Sequence, residues 1–183
     1  MNYSSENLRP FTTNPALAET VNRLLLVATM TPTTARAYFS SIYLSKGMLL
    51  TGVHAYAWLS AASAGTYQWL LWDGAGTLLA NTAVVAANTS QARRTNAFTS
   101  TYTVPTAGYY YVGCRYIGVG VAWSSLATYL SSTGFYPIND MNTSTTTTTI
   151  SQVSSGSVAL ASATNISGLT YTREIQNFYY GLY

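Results

Sequence analysis

A chain of 183 residues is long enough for one domain with appendages and buries roughly 70% of its unfolded surface, so no disulfide or metal is needed to hold it. Only 7% of the residues are charged, against about 25% in ordinary globular domains, and the net charge of +3 is scattered. The one adjacent basic pair, Arg93-Arg94, argues against a nucleic-acid face, the single cysteine excludes an internal disulfide framework, and so weakly charged a surface points to an assembly in which neighbours cover it.

Residues 1–20 read as an extended N-terminal arm. Pro10 and Pro15 break helices and strand ladders, and the polar run 2–7 offers no apolar face. The opening MNYSSENLRPF lacks the basic-then-apolar order of a signal peptide. The longest apolar run, 24–28, is far short of the roughly 20 residues that cross a bilayer, so a soluble chain without membrane contact is expected. Residues 21–30, VNRLLLVATM, stop at Thr31-Pro32 and predict a buried strand. The aromatic run 37–44 predicts another, followed by a turn at Lys46-Gly47.

The stretch 48–80 carries three of the four tryptophans and the only histidine. At period two, Val53, Ala55, Ala57 and Leu59 share one face, and His54, Tyr56 and Trp58 the other. Beyond a small-residue loop, Tyr67, Trp69 and Leu71 alternate with Gln68, Leu70 and Trp72, ending at the turn Asp73-Gly74-Ala75-Gly76. This pattern predicts a central antiparallel hairpin. Residues 88–95 read as a loop. The runs 97–104 and 109–117, joined through Pro105 and Gly108, predict a second hairpin. About 118–157 is loop-rich: it includes the low-complexity NTSTTTTT at 142–149 and a small polar run at 151–157. The aromatic close, QNFYYGLY at 176–183, would be costly to leave in water and is expected to return to the sheet as its last strand. Eight or nine strands spaced by turn signals make an all-β antiparallel sandwich, jelly-roll-like, over 21–183.

Catalytic chemistry has few carriers. The five acids, Glu6, Glu19, Asp73, Asp140 and Glu174, are dispersed, whereas carboxylate catalysis needs two that converge. His54 and Cys114 lie 60 positions apart and make neither a metal set nor a nucleophile–base pair. Cys114 shares a face with Tyr110, Val112 and Tyr116 and reads as a small buried residue; His54 reads as packed or interfacial. No phosphate loop, nucleophile elbow or dinucleotide fingerprint is present in the sequence. The expectation is a non-enzymatic protein with no cofactor or metal. Sixteen tyrosines and four tryptophans suit protein interfaces or stacking on sugars. Alternation in 109–111 and 178–180 sends some rings outward, so Tyr109, Tyr111, Phe178, Tyr179 and Tyr180 are the candidate interface aromatics.

The order of the pieces is telling: NLRP…ETVNR, then IYLSKGMLLTGVHAYAW, YQWLLWDGAGTLLANTA and TSTYTVPTAGYYYVG, then a loose tail with an aromatic close. This order over about residues 7–117 resembles surface proteins of tailed-bacteriophage virions, of the capsid decoration (cement) or head-fibre type. The resemblance implies a jelly-roll module on the outer surface of the capsid, commonly a homotrimer, whose partner is the major capsid protein or another virion protein. The arm, with Leu8, Arg9, Pro10 and Phe11, would lie along the shell. The alternative is a tail- or fibre-associated receptor module that binds a host glycan.

Overall fold

The computed structural model describes residues 16–20, 28–30, 32–57, 65–86, 92–118, 123–127, 146–147, 150, 155–174 and 178–183. The strands in chain order are β1 (Ala18–Glu19), β2 (Ala28–Met30), β3 (Arg36–Leu44), β4 (Leu49–Ala57), β5 (Gly65–Trp72), β6 (Leu78–Asn81), β7 (Val85–Ala86), β8 (Ala92–Thr103), β9 (Gly108–Gly118), β10 (Trp123–Ala127), β11 (Thr146–Thr147), β12 (Ser155–Ala159), β13 (Tyr171–Arg173) and β14 (Gly181–Leu182).

Eight of these pair as nested couples, first with last: β1 with β14, β3 with β9, β4 with β8, and β5 with β6. That is a long antiparallel double strand rolled on itself, the jelly roll. Cross pairs β14–β4 and β9–β5 complete a small sheet, β1-β14-β4-β8, and the body of a large one, β3-β9-β5-β6. Beyond β3 the large sheet continues through β12, β13 and β11, and a separate β2–β10 ribbon lies beside β4.

The two expected hairpins are corrected by this topology. β4 and β5 lie in different sheets, and so do β8 and β9. Their connections are corners between layers. The corner at 45–48 is bonded to the one at 104–107, where Gly47 N–H donates to Val104 O (2.8 Å) and Val104 N–H to Met48 O (2.9 Å). The β3/β9 ladder thus runs through into β4/β8 as the double strand turns. Alternation reads the same whichever sheet a strand joins, so the pattern marked the strands and mistook their partners. Of the expected turns, the one at 73–76 does close a true hairpin, β5–β6. There Asp73 Oδ1 accepts the Ala75 and Thr77 amides at 2.9 and 2.8 Å, and Gly76 takes φ +89°, a left-handed value that favours glycine.

Three further boundaries shift. Residues 92–95, expected in a loop, belong to β8, with Thr95 opposite His54 and Arg94 opposite Ala55. Residues 155–157, expected in the loop-rich part, belong to β12 (Ser155–Ala159), an interior strand between β13 and β3. Its serines are buried because each hydroxyl is bonded: Ser155 Oγ donates to Phe39 O (3.2 Å) and Ser157 Oγ to Glu174 Oε1 (2.8 Å). Residues 16–20, the end of the expected arm, are built into the small sheet: Leu17 N–H donates to Leu182 O and Thr20 Oγ1 to Phe178 O, both at 2.6 Å. The proposed shell contacts Leu8, Arg9, Pro10 and Phe11 lie outside the described residues, as do residues 21–27 of the expected strand 21–30.

Side-chain alternation on β3, β5 and β9 feeds two cores. Between the sheets pack Tyr38, Ile42, Leu50, Val53, Trp69, Leu71, Val112 and Tyr116, among others. On the outer face of the large sheet, Phe39, Leu70, Trp72 and Tyr111 are covered by Ile150, Leu160, Ile166 and Tyr171. Phe39 sits edge-on to both Tyr111 and Tyr171, with ring centroids 5.6 Å apart in each pair. Strands buried on both faces carry nearly continuous apolar runs, which is what 65–72 and 109–117 show.

Candidate functional site

The residues able to carry chemistry are dispersed and tied into the fold. His54 is buried on β4, its Nδ1 lies 2.8 Å from Thr95 Oγ1, and its ring stacks on Tyr183 with centroids 4.3 Å apart. Arg115 is a buried guanidinium on the outer face of β9. Its Nη1 donates to Ala161 O (2.5 Å) and its Nη2 to Gln68 Oε1 (2.8 Å), while Gln68 Nε2 donates to Thr82 O (2.8 Å). No carboxylate pairs with it among the described residues, so neutral oxygens spread its charge and it clamps the 161 segment to the sheet. Among the described residues no three of His, Cys, Asp and Glu converge.

Cys114 is buried between the sheets, and burial pushes its thiol well above the ordinary range. The folded protein is therefore expected to leave Ellman's reagent unreacted at pH 8 and to titrate one thiol only after denaturation. Fast reaction of the native protein would contradict the packing around β9.

A second polar group joins β3, β12 and β13. Arg36 Nη2 donates to Ser157 Oγ (2.8 Å) and Thr172 Oγ1 (3.0 Å), and Ser157 passes its own hydrogen to Glu174. Burial raises the Glu174 carboxyl from its ordinary value, against the lowering pull of the Ser157 hydrogen bond and of Arg36. A folded pKa above the unfolded one means that the fold favours the protonated acid. This contribution is complete below the unfolded value near 4.5 and is lost as pH rises through the folded value. Glu174→Gln, which keeps the acceptor and removes the charge, is expected to be more stable than the parent at pH 7. The difference should fade below about pH 4, as thermal melts at the two pH values would show. A less stable variant at pH 7 would mean that the Arg36 attraction outweighs burial.

The candidate interface aromatics divide sharply. Tyr109 stands 64% exposed. Tyr111, Phe178, Tyr179 and Tyr180 do not: all are buried within the chain, so their assignment to an intermolecular interface is corrected. Tyr111 packs in the outer core and donates its hydroxyl to Ile150 O (2.6 Å). Phe178 and Tyr180 fill the space between the sheets, Tyr180 donating to Tyr38 O (2.8 Å), and Tyr179 on the opposite face donates to Glu19 Oε1 (3.0 Å). Alternation correctly separates their faces; it cannot show that both faces of a strand are covered.

Tyr109 has a partner that the sequence reading did not single out. Tyr43, 56% exposed, lies directly opposite on β3, and the two rings meet edge to face at 5.4 Å and 79°. They form an outward ledge at the end of the large sheet, just past the last covered row of the outer core. Neither hydroxyl makes a hydrogen bond among the described residues. Next to Tyr109 the β5–β6 turn places Gly74, where an added Cβ would come within 3.0 Å of Tyr109 O. The turn at 45–48, the corner at 104–107, the turn at 73–77 and the segment around 166 gather at this end, the last two joined by Ile166 N–H donating to Gly76 O (2.8 Å). The signal that would have found Tyr43 is its place opposite Tyr109, which exists only once β3 and β9 are paired.

No protein-family model matches the chain, and no curated protein sequence matches it.

Proposed function

We propose that this chain is a non-enzymatic structural protein of a virus particle, a decoration (cement) protein that binds the outside of a tailed-phage head as an oligomer, with the homotrimer as the expected state. The observation that carries this reading is a jelly roll built from a chain with only 7% charged residues, whose described surface carries little charge. Among the charged residues whose side chains are described, Lys46 is exposed, Glu19, Arg36, Asp73, Arg94 and Glu174 are half-buried, and Arg115 is buried. A free soluble domain keeps itself apart from its neighbours with surface charge. A coat protein has its surface taken up by neighbours, and the jelly roll is an architecture of viral capsid domains. The order of the sequence blocks supports the same reading.

The test is to mix the purified protein with undecorated phage heads and measure attachment by sedimentation and electron microscopy. Stoichiometric binding at symmetry-related positions is expected. A chain lacking residues 2–15 should lose attachment while keeping β1, and with it the fold. Attachment only to tails or to host cells would overturn the head assignment in favour of a tail-borne receptor module.

A further inference from the structure

The Tyr43–Tyr109 ledge is a small aromatic surface left open at one end of a sheet face whose centre is covered by the outer core. Taking a tyrosine side chain at about 200 Å², the two rings expose roughly 250 Å² together. A stable protein–protein contact needs about 800 Å² on each side, well above what the two rings offer. Among the described residues, the outer core on one side is already covered by Ile150 and Ile166, and on the other Gly74 adds no side chain. A ring face of this size fits a sugar ring, whose apolar C–H face stacks on an aromatic while its hydroxyls reach polar neighbours.

Those neighbours are neutral. Ser45, Thr77, Thr103, Thr106, Asn165 and Ser167 are exposed on the turns and strand ends gathered at this end of the sandwich. Among the described residues the charges there are Lys46 and Asp73, of opposite sign, and Asp73 Oδ1 already accepts two amides. No described residue at this end would select an anionic or a cationic ligand. We infer that the Tyr43–Tyr109 ledge is a binding site for a neutral saccharide, one ring stacking flat on the sugar and the other bounding its edge. This site is independent of where on a particle the chain sits, and its failure would leave the head-binding reading untouched.

The experiment is NMR of the full chain with ring-labelled tyrosine, titrated with maltotetraose, cellotetraose and tetra-N-acetylchitotetraose, and with a heparin tetrasaccharide as the anionic control. Saturable shifts confined to the Tyr43 and Tyr109 rings are expected with at least one neutral probe and not with heparin. Tyr43→Ala and Tyr109→Ala should each weaken that binding roughly three- to tenfold, the worth of an aromatic stack. Tyr109→Phe should keep most of it. Both rings are exposed, so an unchanged melting temperature shows that these variants fold. No saturable shift with any of the three neutral probes, or equal binding by the double Ala variant, overturns the assignment. Ring shifts that follow protein concentration and vanish in the double variant would overturn it too, by placing a second copy on the ledge.

Discussion

A chain ending at residue 177 is expected not to fold: far-UV circular dichroism should lose its β signal and the amide NMR spectrum should collapse to the unfolded range. The six residues removed include β14, an interior strand of the small sheet held between β1 and β4. Phe178, Tyr180 and Leu182 point into the space between the sheets, each at most 1% exposed. Burying three such side chains contributes about 4.5–9 kcal/mol, comparable with the roughly 5–15 kcal/mol by which whole domains are stable. The backbone loss adds to it. Thr51 and Gly52 N–H both donate to Tyr183 O at 2.6 and 3.2 Å, and Tyr183 N–H donates back to Gly52 O at 3.2 Å. The single change Tyr180→Ala should cost about 3–5 kcal/mol in chemical denaturation. A truncated chain with a cooperative melt would show that β14 is peripheral and would reopen these rings as surface residues.

Gly113→Val is expected to destabilise the protein by at least about 3 kcal/mol, lowering the melting temperature by roughly 10 °C. Gly113 lies in mid-β9, paired with Phe39 on one side and Leu70 on the other. A Cβ there would stand 2.8 Å from Tyr38 O, 2.9 Å from the Phe39 Cβ and 2.9 Å from the Trp72 ring. One of these contacts is backbone in the centre of the large sheet, so nothing can give without moving β3 against β9. Valine adds two methyl groups beyond that Cβ. Its high strand propensity does not rescue it, because the obstacle is packing rather than backbone preference. Differential scanning calorimetry checks this, and an unchanged melt would mean that Phe39 and Trp72 are looser than the close contacts over Gly113 require.

The two predictions mark what each level of description contains. Strand existence was legible in residue order alone: 37–44 and 109–117 lie within strands, 97–103 belongs to β8, and the aromatic close returns to the sheet through β14 at Gly181–Leu182, because alternation and turn residues act over a few neighbours. The burial of Cys114 and the role of Asp73 in its turn were legible for the same reason. Partner choice was not. Val53 with its alternating neighbours looks the same beside β5 in one sheet as beside β8 in another, and only the rolled double strand settles it. Burial on both faces was hidden too. It turned Tyr111, Phe178, Tyr179 and Tyr180 from expected contacts into core, and it hid a buried strand in the polar serines of β12. By itself the sequence determined an all-β chain poor in charge, with its turns in place. The tertiary structure decided which strands meet, which leaves Tyr43 beside Tyr109 as the open ring pair, because contacts between residues 66 positions apart follow from how the layers close and from no local pattern.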